Sequence, residues 1–360
     1  MVDFVHMPPF PARFAAPLRE ALSGVRAAWP ELVTRGEQDV IEAHGMLPIV
    51  YHASRLPELR DAALNAAAIE SLRLTDVREV LTALASHGVV PLIVKGTALA
   101  YSIYDAPELR PRGDTDLLIG TNDLDRVRAA LVPLRFRERL TSGDELGVRQ
   151  KTFERVDRFG LTHGYDVHLD IANPATVART LTYEEMRSRA IDLPRIAAGA
   201  IAPSLVDSLL YACIHRVVHH HASDRLMWLY DVHLLANHLS VDQWSEFWSR
   251  AKERRIVTIC KVTLDDARHW FGGEDFGANA PAVGDEPSAA FLVRDRTRGA
   301  VLATELKALT WRERMTRLWQ LAFPPPAFVM QSFGVRNRAA LPALYVWRVL
   351  RGLGRLFRRV

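Results

Sequence analysis

Two aspartates separated by a single residue occur in the segment DTDLLIG, at Asp114 and Asp116. Residues two apart on a β-strand share a face, so both carboxylates project to the same side. Two negative charges this close repel each other unless a cation lies between them, and Mg²⁺ prefers carboxylate oxygens. The pair therefore predicts either a metal site or two exposed carboxylates at a strand end. We favour the metal site because of the residues that surround it in the sequence.

The segment HGYDVHLDI supplies further acids, because Asp166, His168 and Asp170 share one face if it forms a strand. If this strand pairs with the strand of Asp114 and Asp116, a third carboxylate joins the first two. Three carboxylates around one or two magnesium ions, with phosphate oxygens in the open positions, suit nucleotidyl transfer. Asp166 is the preferred third carboxylate, and Asp170 is the alternative.

A turn that suits phosphate precedes the aspartates at Lys95-Gly96-Thr97. A glycine lets the backbone approach a phosphate, and the N-terminus of a following helix offers free N–H groups, to which Thr97 adds a hydroxyl. Lys95 either contacts phosphate or carries its charge into solvent. Arg110 and Arg112 either neutralise the aspartates or contact a triphosphate. The chain has no Walker A motif.

Hydrophobic periodicity predicts helices from residue 14 to about residue 84, with Gly88 as their stop signal. VVPLIV, DTDLLIG, FRERL, KTFERVDRF and HGYDVHLDI read as strands, whereas ALAYSIY and DLDRVRAALVPL read as helices, the latter capped by Thr121 or Asn122. After Asn173 and Pro174 we predict helices without strands.

The predicted fold class is α+β, with a small mixed sheet between helical flanks. We expect four parts, which are an N-terminal helical segment (1–87), an α/β core (88–173), a helical substrate-side domain (174–323) and a basic amphipathic tail (324–360).

Composition narrows the class of protein. The chain has 360 residues, 49% of them apolar, and neither a signal peptide nor a membrane-spanning run appears, so we expect a cytoplasmic protein. Cys213 and Cys260 lie far apart in apolar contexts, which is typical of reduced core thiols. His215 and His219 are one helical turn apart and either ligate zinc or pack the helices against the sheet. We favour packing.

The formal net charge is +4, and the excess of arginine falls near the C-terminus. The segment LPALYVWRVLRGLGRLFRRV alternates apolar residues with arginines at helical spacing, up to Phe357 and Arg358. Such a helix lies on an anionic membrane surface, binds an acidic or nucleic-acid partner, or packs back onto the protein. Packing back is the interpretation we favour, and nucleic acid ranks last.

The strings KGTALAYSIY, LRPRGDTDLLI and YDVHLDI resemble uncharacterised bacterial nucleotidyltransferases of the DNA polymerase beta-like superfamily. SLLYACIHRVVHHHASDRLMWLYDVHLLA is similar to the helical segment of the same family, and AHGMLPIVYHASR resembles its helical preface more loosely. Together these strings cover roughly residues 38–240. It implies metal binding by Asp114 and Asp116, with Asp166 as the third metal ligand and base. It also implies that Gly96 and Thr97 hold the triphosphate.

The expected function is magnesium-dependent transfer of a nucleoside monophosphate from a nucleoside triphosphate, such as ATP, with release of pyrophosphate. We expect two Mg²⁺ ions on Asp114, Asp116 and Asp166, and nucleotide contacts from Lys95, Gly96, Thr97 and Arg112. The acceptor is a hydroxyl or amino group on a small molecule, a peptide or a protein. The alternative is a catalytically silent nucleotide-binding or scaffold protein that retains the fold.

Overall fold

The computed structural model describes residues 7–139, 149–172, 174, 176–220, 222–284, 286–293, 298–335 and 337–356. The expected boundary at Asn173 and the end of the basic helix, Phe357 and Arg358, lie outside these residues.

Four helices precede the first strand. They are α1 Ala12–Leu22, α2 Arg35–Ala43, α3 Leu47–Ser54 and α4 Arg60–Ser86. The helix α2 begins at a capping box, in which the Thr34 side chain and Glu37 satisfy each other's backbone N–H groups. Gly88 lies just past the end of α4 with φ of 70°, a conformation that glycine adopts without steric cost, so the predicted stop signal is confirmed.

In the described residues, seven strands form one mixed sheet. They are β1 Leu92–Val94, β2 Thr115–Leu118, β3 Arg137–Glu138, β4 Gln150–Val156, β5 Thr162–His168, β6 Ile191–Asp192 and β7 Ile201–Ala202. Their order across the sheet is β3-β4-β5-β2-β1-β7-β6. The pairs β2–β5 and β1–β7 are parallel, and the other neighbours are antiparallel. The α+β prediction is confirmed.

Two details of the sequence prediction are wrong. The strands β6 and β7 follow residue 174, where we predicted helices only. Each has two residues, which is too short to show alternation, and β7 joins the sheet because β1 offers it an open edge. The helix α6, Leu124–Leu131, begins after Asp123 rather than after Thr121 or Asn122, and Asp123 pairs with Arg126 instead of capping the backbone.

The sheet separates two apolar cores because its side chains alternate between faces. Ile93, Leu117 and Val167 point toward α4 and α6 in the smaller core. Leu92 and Leu118 belong to the larger core on the other face. The helix α5, Lys95–Ser102, follows β1 directly. The polar ends of β2 and β5 therefore emerge beside the larger core, which helices cover.

The helices of the second half are α7 Tyr183–Ser188, α8 Leu205–His220, α9 Leu226–His238, α10 Val241–Glu253 and α11 Val257–Phe271. The larger core contains residues from α8 to α11 together with residues from α1, α2 and α3. Cys213 and Cys260 are buried free thiols in it, as expected. The helices α1 to α3 and α8 to α11 thus pack together in one layer against the sheet.

The last helices are α12 Arg298–Ala308, α13 Trp311–Ala322, α14 Pro326–Ser332 and α15 Leu341–Leu356. Large apolar side chains of α13 and α15 are exposed, with Trp311 at 69% and Trp347 at 57%. Within the described part of the chain, no helix combines the length and the apolar character that crossing a membrane requires.

Candidate active site

The parallel pairing of β2 and β5 brings the predicted acids together. In this register Asp116 lies opposite Asp166, and Leu118 lies opposite His168. Asp116, Asp166 and His168 therefore share the sheet face that looks toward α8. Asp114 lies just before β2 and lines the same cleft as Asp116 and Asp166. The pairing that the sequence required for a third carboxylate is present.

Asp116 is buried and has two polar neighbours on one oxygen. Lys95 Nζ donates to Asp116 Oδ1 at 2.7 Å, and His168 Nε2 lies 2.8 Å from the same atom. Burial by itself favours the protonated acid, but the Lys95 ammonium and the hydrogen bond with His168 outweigh it. The pKa of Asp116 is therefore held well below its usual range, and this carboxylate stays ionised.

Asp166 and Asp114 show the opposite shift. Burial raises the pKa of Asp166, against a hydrogen bond in which Thr152 Oγ1 donates to its Oδ1 at 2.6 Å. Asp114 is open to solvent on one side, but the protein around it limits hydration, and Asp116 and Asp166 add negative charge. Together they raise the pKa of Asp114 to about 6. A bound cation would relieve this repulsion.

The donor set fits a divalent cation. One ligand atom each from Asp116, Asp166 and His168 lie within 4.8 Å of one another, and no other such group of histidine, cysteine and acidic side chains occurs in the described residues. Asp114 adds a third carboxylate to the same cleft. Carboxylate oxygens suit a hard ion such as Mg²⁺, so Asp114, Asp116 and Asp166 would hold it. His168 is the softer donor and already contacts Asp116.

The turn at Lys95-Gly96-Thr97 borders this cleft through its first two residues. Lys95 has φ of 55°, an uncommon conformation for a residue with a side chain, and its Nζ lies on Asp116. A Cβ atom on Gly96 would lie 3.2 Å from Arg110 Nη1, so glycine permits this close approach. Thr97 is 1% exposed, its hydroxyl has no hydrogen-bond partner, and it does not line the cleft.

Both arginines before the aspartates are buried in ion pairs. Arg110 donates to Asp231 through Nε at 2.8 Å and through Nη2 at 2.7 Å. Arg112 donates to Glu70 at 3.1 and 2.9 Å and to Thr115 Oγ1 at 2.7 Å. These contacts fix the loop that leads to Asp114. Both arginines also border the cleft.

The cleft has a volume of about 460 Å³, which falls within the range of small-molecule sites. The sheet side contributes the three aspartates, and the helical side contributes His215, His219 and His220 from α8 together with Arg225 and Trp228 at the start of α9. An acidic wall therefore faces an aromatic and basic wall.

The histidines of α8 pack on one another and on Trp228. The ring centroids of His215 and His219 are 5.3 Å apart, and those of His220 and Trp228 are 3.8 Å apart. Burial, with the nearby Lys95 charge, lowers the pKa of His219 to about 3, and it holds the pKa of His215 well below its usual range. Neutral rings that stack in this way agree with the interpretation that these histidines pack the helices against the sheet. His221, which could have completed a zinc site, lies outside the described residues.

Asp170, the alternative third carboxylate, lies beyond the end of β5. It forms an ion pair with Arg149 at 2.6 Å and does not line the cleft.

Sequence reasoning placed His168 on the correct face but gave it no partner, and it did not identify Arg225 at all. Alternation in HGYDVHLDI could have suggested the contact of His168 with Asp116, whereas nothing local marks Arg225.

Comparisons with known proteins identify a family and include a similar solved structure. No curated protein matches the chain. The crystal structure of JHP933 from Helicobacter pylori aligns with 16% identity and a TM-score of 0.30, over 71% of this chain and 97% of that one. At this TM-score the two chains share too little geometry to support a conclusion. The sequence model of the family described as "Uncharacterised nucleotidyltransferase" matches residues 38–272, more than half of the chain. The chain therefore belongs to this uncharacterised nucleotidyltransferase family.

Proposed function

We propose that this protein is a magnesium-dependent nucleotidyltransferase that moves a nucleoside monophosphate from a nucleoside triphosphate to a hydroxyl or amino acceptor. The observation that carries the proposal is the register of β2 and β5, which sets Asp116 opposite Asp166 at the wall of a cleft of about 460 Å³. Family membership supports the same reaction class. Placement in the DNA polymerase beta-like superfamily stays a prediction.

In the proposed reaction the acceptor oxygen or nitrogen attacks the α-phosphorus. A bond from phosphorus to the acceptor forms, the bond from the α-phosphorus to the bridging oxygen breaks, and pyrophosphate leaves. Asp166 is the base, because burial raises its pKa and Thr152 fixes one of its oxygens. Asp116 stays ionised, and with Asp114 it would hold the cation.

Bound Mg²⁺ would neutralise charge that develops on the phosphate oxygens. The residues of the chain then do the positioning. Gly96 borders the cleft beside the Arg110 guanidinium, and the helical wall from α8 and α9 closes the space opposite the aspartates.

Conservative variants test the assignment. The purified protein is incubated with the four labelled triphosphates, Mg²⁺ and a cell extract, and transferred nucleotide and pyrophosphate are measured. Asp116→Asn and Asp166→Asn should each lower transfer about a thousandfold, since charge stabilisation by a metal is worth several kcal/mol. Asp170→Asn is the matched control, because Asp170 lies outside the cleft, and it should keep full activity. Unchanged transfer in Asp116→Asn would contradict the proposal.

A second candidate rests on the Lys95 contact. Lys95 Nζ already supplies a cation to Asp116, and Asp116 holds the pKa of Lys95 above its usual range, although burial opposes this. A catalytically silent nucleotide-binding protein would use the lysine in place of a metal. Calorimetry separates the two, because a silent protein would bind triphosphate equally with Mg²⁺ and with EDTA and would release no pyrophosphate.

A further inference from the structure

Four basic side chains line the cleft, and three of them have carboxylate partners. Lys95 pairs with Asp116 at 2.7 Å, Arg110 with Asp231 at 2.7 Å, and Arg112 with Glu70 at 2.9 Å. The fourth is Arg225. Carboxylates already neutralise the first three charges, so Arg225 is the basic side chain of this set that is left to bind an anionic ligand.

Arg225 makes no ion pair with any described residue. Its Nε is buried without a hydrogen-bond partner, and its guanidinium lies 5.1 Å from the ring centre of Trp228. Burial and the nearby Arg110 charge lower its pKa, so the site already disfavours a cation. A buried donor that is left unsatisfied costs about 1–3 kcal/mol. Such a group calls for an anion that the protein itself does not supply.

The position of Arg225 indicates which anion this is. Arg225 and Trp228 lie on the helical wall, Asp114, Asp116 and Asp166 on the opposite wall, and Gly96 borders the same space. A triphosphate whose α-phosphate faces the carboxylates would direct its remaining phosphates away from those negative charges. The fork of N–H groups on arginine matches phosphate oxygens.

We propose that Arg225 binds the β- and γ-phosphates of the nucleoside triphosphate, the part that leaves as pyrophosphate. This inference rests on the proposed function. Arg225 would therefore bind triphosphates more tightly than monophosphates. It would contact the pyrophosphate that leaves and not the acceptor.

Calorimetry with Mg²⁺ and matched pairs of nucleoside tri- and monophosphates tests this. Arg225→Gln should weaken triphosphate binding about tenfold to a hundredfold, as expected for a hydrogen bond to a charged group, and should leave monophosphate binding unchanged. Arg225→Lys keeps the charge but loses the fork, so an intermediate loss is expected. Arg268→Gln is the matched control, because Arg268 pairs with Asp275 outside the cleft.

Three outcomes would overturn the inference. One is full triphosphate affinity in a folded Arg225→Gln protein, and another is an equal loss for mono- and triphosphate. If Arg225→Gln does not fold, full triphosphate affinity in Arg225→Lys is the third. Failure of the proposed function looks different, because the wild-type protein itself would then show no magnesium-dependent nucleotide binding or transfer.

A second inference rests on the helices α13 and α15. Trp311, Met315, Leu318 and Trp319 follow one face of α13, and Val346, Trp347, Leu350 and Leu353 follow one face of α15, each at least 41% exposed. Trp319 contacts Phe323 at 4.5 Å, and Phe323 contacts Tyr345 at 5.7 Å, so one aromatic chain joins the helices. We call these eight exposed residues the apolar face.

The charge of this segment indicates the partner. From residue 314 to residue 360 the sequence contains nine arginines and neither aspartate, glutamate nor lysine. Exposed tryptophan and leucine side chains in a segment this rich in arginine suit the boundary between headgroups and acyl chains of an anionic bilayer. We propose that the apolar face docks on an anionic membrane surface.

Cosedimentation of the full chain with vesicles tests the docking. Phosphatidylglycerol vesicles should bind the protein and phosphatidylcholine vesicles should not, with binding that weakens as salt rises. The double variant Trp347→Glu, Leu350→Glu should lose binding, whereas Val241→Glu, which replaces an 83% exposed valine on α10, should keep it. Failure to bind phosphatidylglycerol would overturn the inference. So would a dimer in solution that the double variant dissociates, because the face would then bind a second copy.

Discussion

The cleft and the apolar face of α13 and α15 differ in which side chains are buried and which are exposed. In the cleft, Arg110 and Arg112 are buried and paired with carboxylates, and Tyr104 also donates to Asp231, the partner of Arg110, at 2.7 Å. On α13 and α15 the large apolar side chains are exposed instead. Buried pairs fix atoms in place, which phosphoryl chemistry requires. An exposed apolar face demands only that a partner cover it.

The largest expected contrast concerns stability. Asp231→Ala leaves Arg110 buried without its partner, so the free energy of unfolding should fall by about 3–5 kcal/mol. Denaturant titration measures this. A loss below about 1 kcal/mol would show that water reaches Arg110 and that the cleft is less rigid than the contrast implies.

The pH dependence of metal binding comes next. Asp114 must lose its proton to ligate a metal, and its pKa is about 6, so affinity should rise about tenfold per pH unit up to about pH 6 and then level off. Calorimetric titration with Mg²⁺ from about pH 4.5 to about pH 8, a range that brackets this pKa, measures the affinity. Asp114→Asn should bind more weakly and lose most of this slope. The same slope in Asp114→Asn would assign it to another group.

Tyr104→Phe tests the same buried cluster around Asp231 without removing a charge. It deletes one hydrogen bond to Asp231 while Arg110 keeps its contact, so the free energy of unfolding should fall by about 1 kcal/mol. Thermal and denaturant unfolding check this value. An effect as large as that of Asp231→Ala would mean that the tyrosine, and not the arginine, holds the loop.

The smallest effect is expected on the apolar face. Trp347→Glu should change the free energy of unfolding by no more than about 0.5 kcal/mol, because Trp347 is 57% exposed, and nucleotide affinity should stay at the wild-type value. Unfolding curves and nucleotide calorimetry on the same protein test both statements. A large loss of stability would show that this face supports the fold.

The sequence predicted much of the core because its signals are local. A short β-branched run predicted β1, a short segment closed by Gly120 predicted β2, and alternation predicted β3, β4 and β5. Residue spacing placed Asp114, Asp116 and Asp166 on faces that the sheet then joined. The strands β6 and β7 could not be found in this way, since two residues carry no period.

The assignment of charges to partners lies beyond sequence reasoning. Arg110 and Arg112 had two open roles, and their partners Asp231 and Glu70 lie far along the chain in opposite directions. Composition cannot rank contacts between residues more than a hundred positions apart, such as Arg110 and Asp231. The same holds for Arg225, which is distinctive because no carboxylate of the described residues forms an ion pair with it.

By itself the sequence determined the fold class and the family, and it supplied the three aspartates as candidates, because periodicity and short motifs act over a few residues. The tertiary structure alone decided that Asp166 rather than Asp170 faces Asp116 and that Lys95 lies on Asp116. It also decided that Arg225 has no carboxylate partner in the part of the chain that the structure describes. These outcomes depend on strand register and helix packing. Both are set by burial across the whole chain, not by any local pattern.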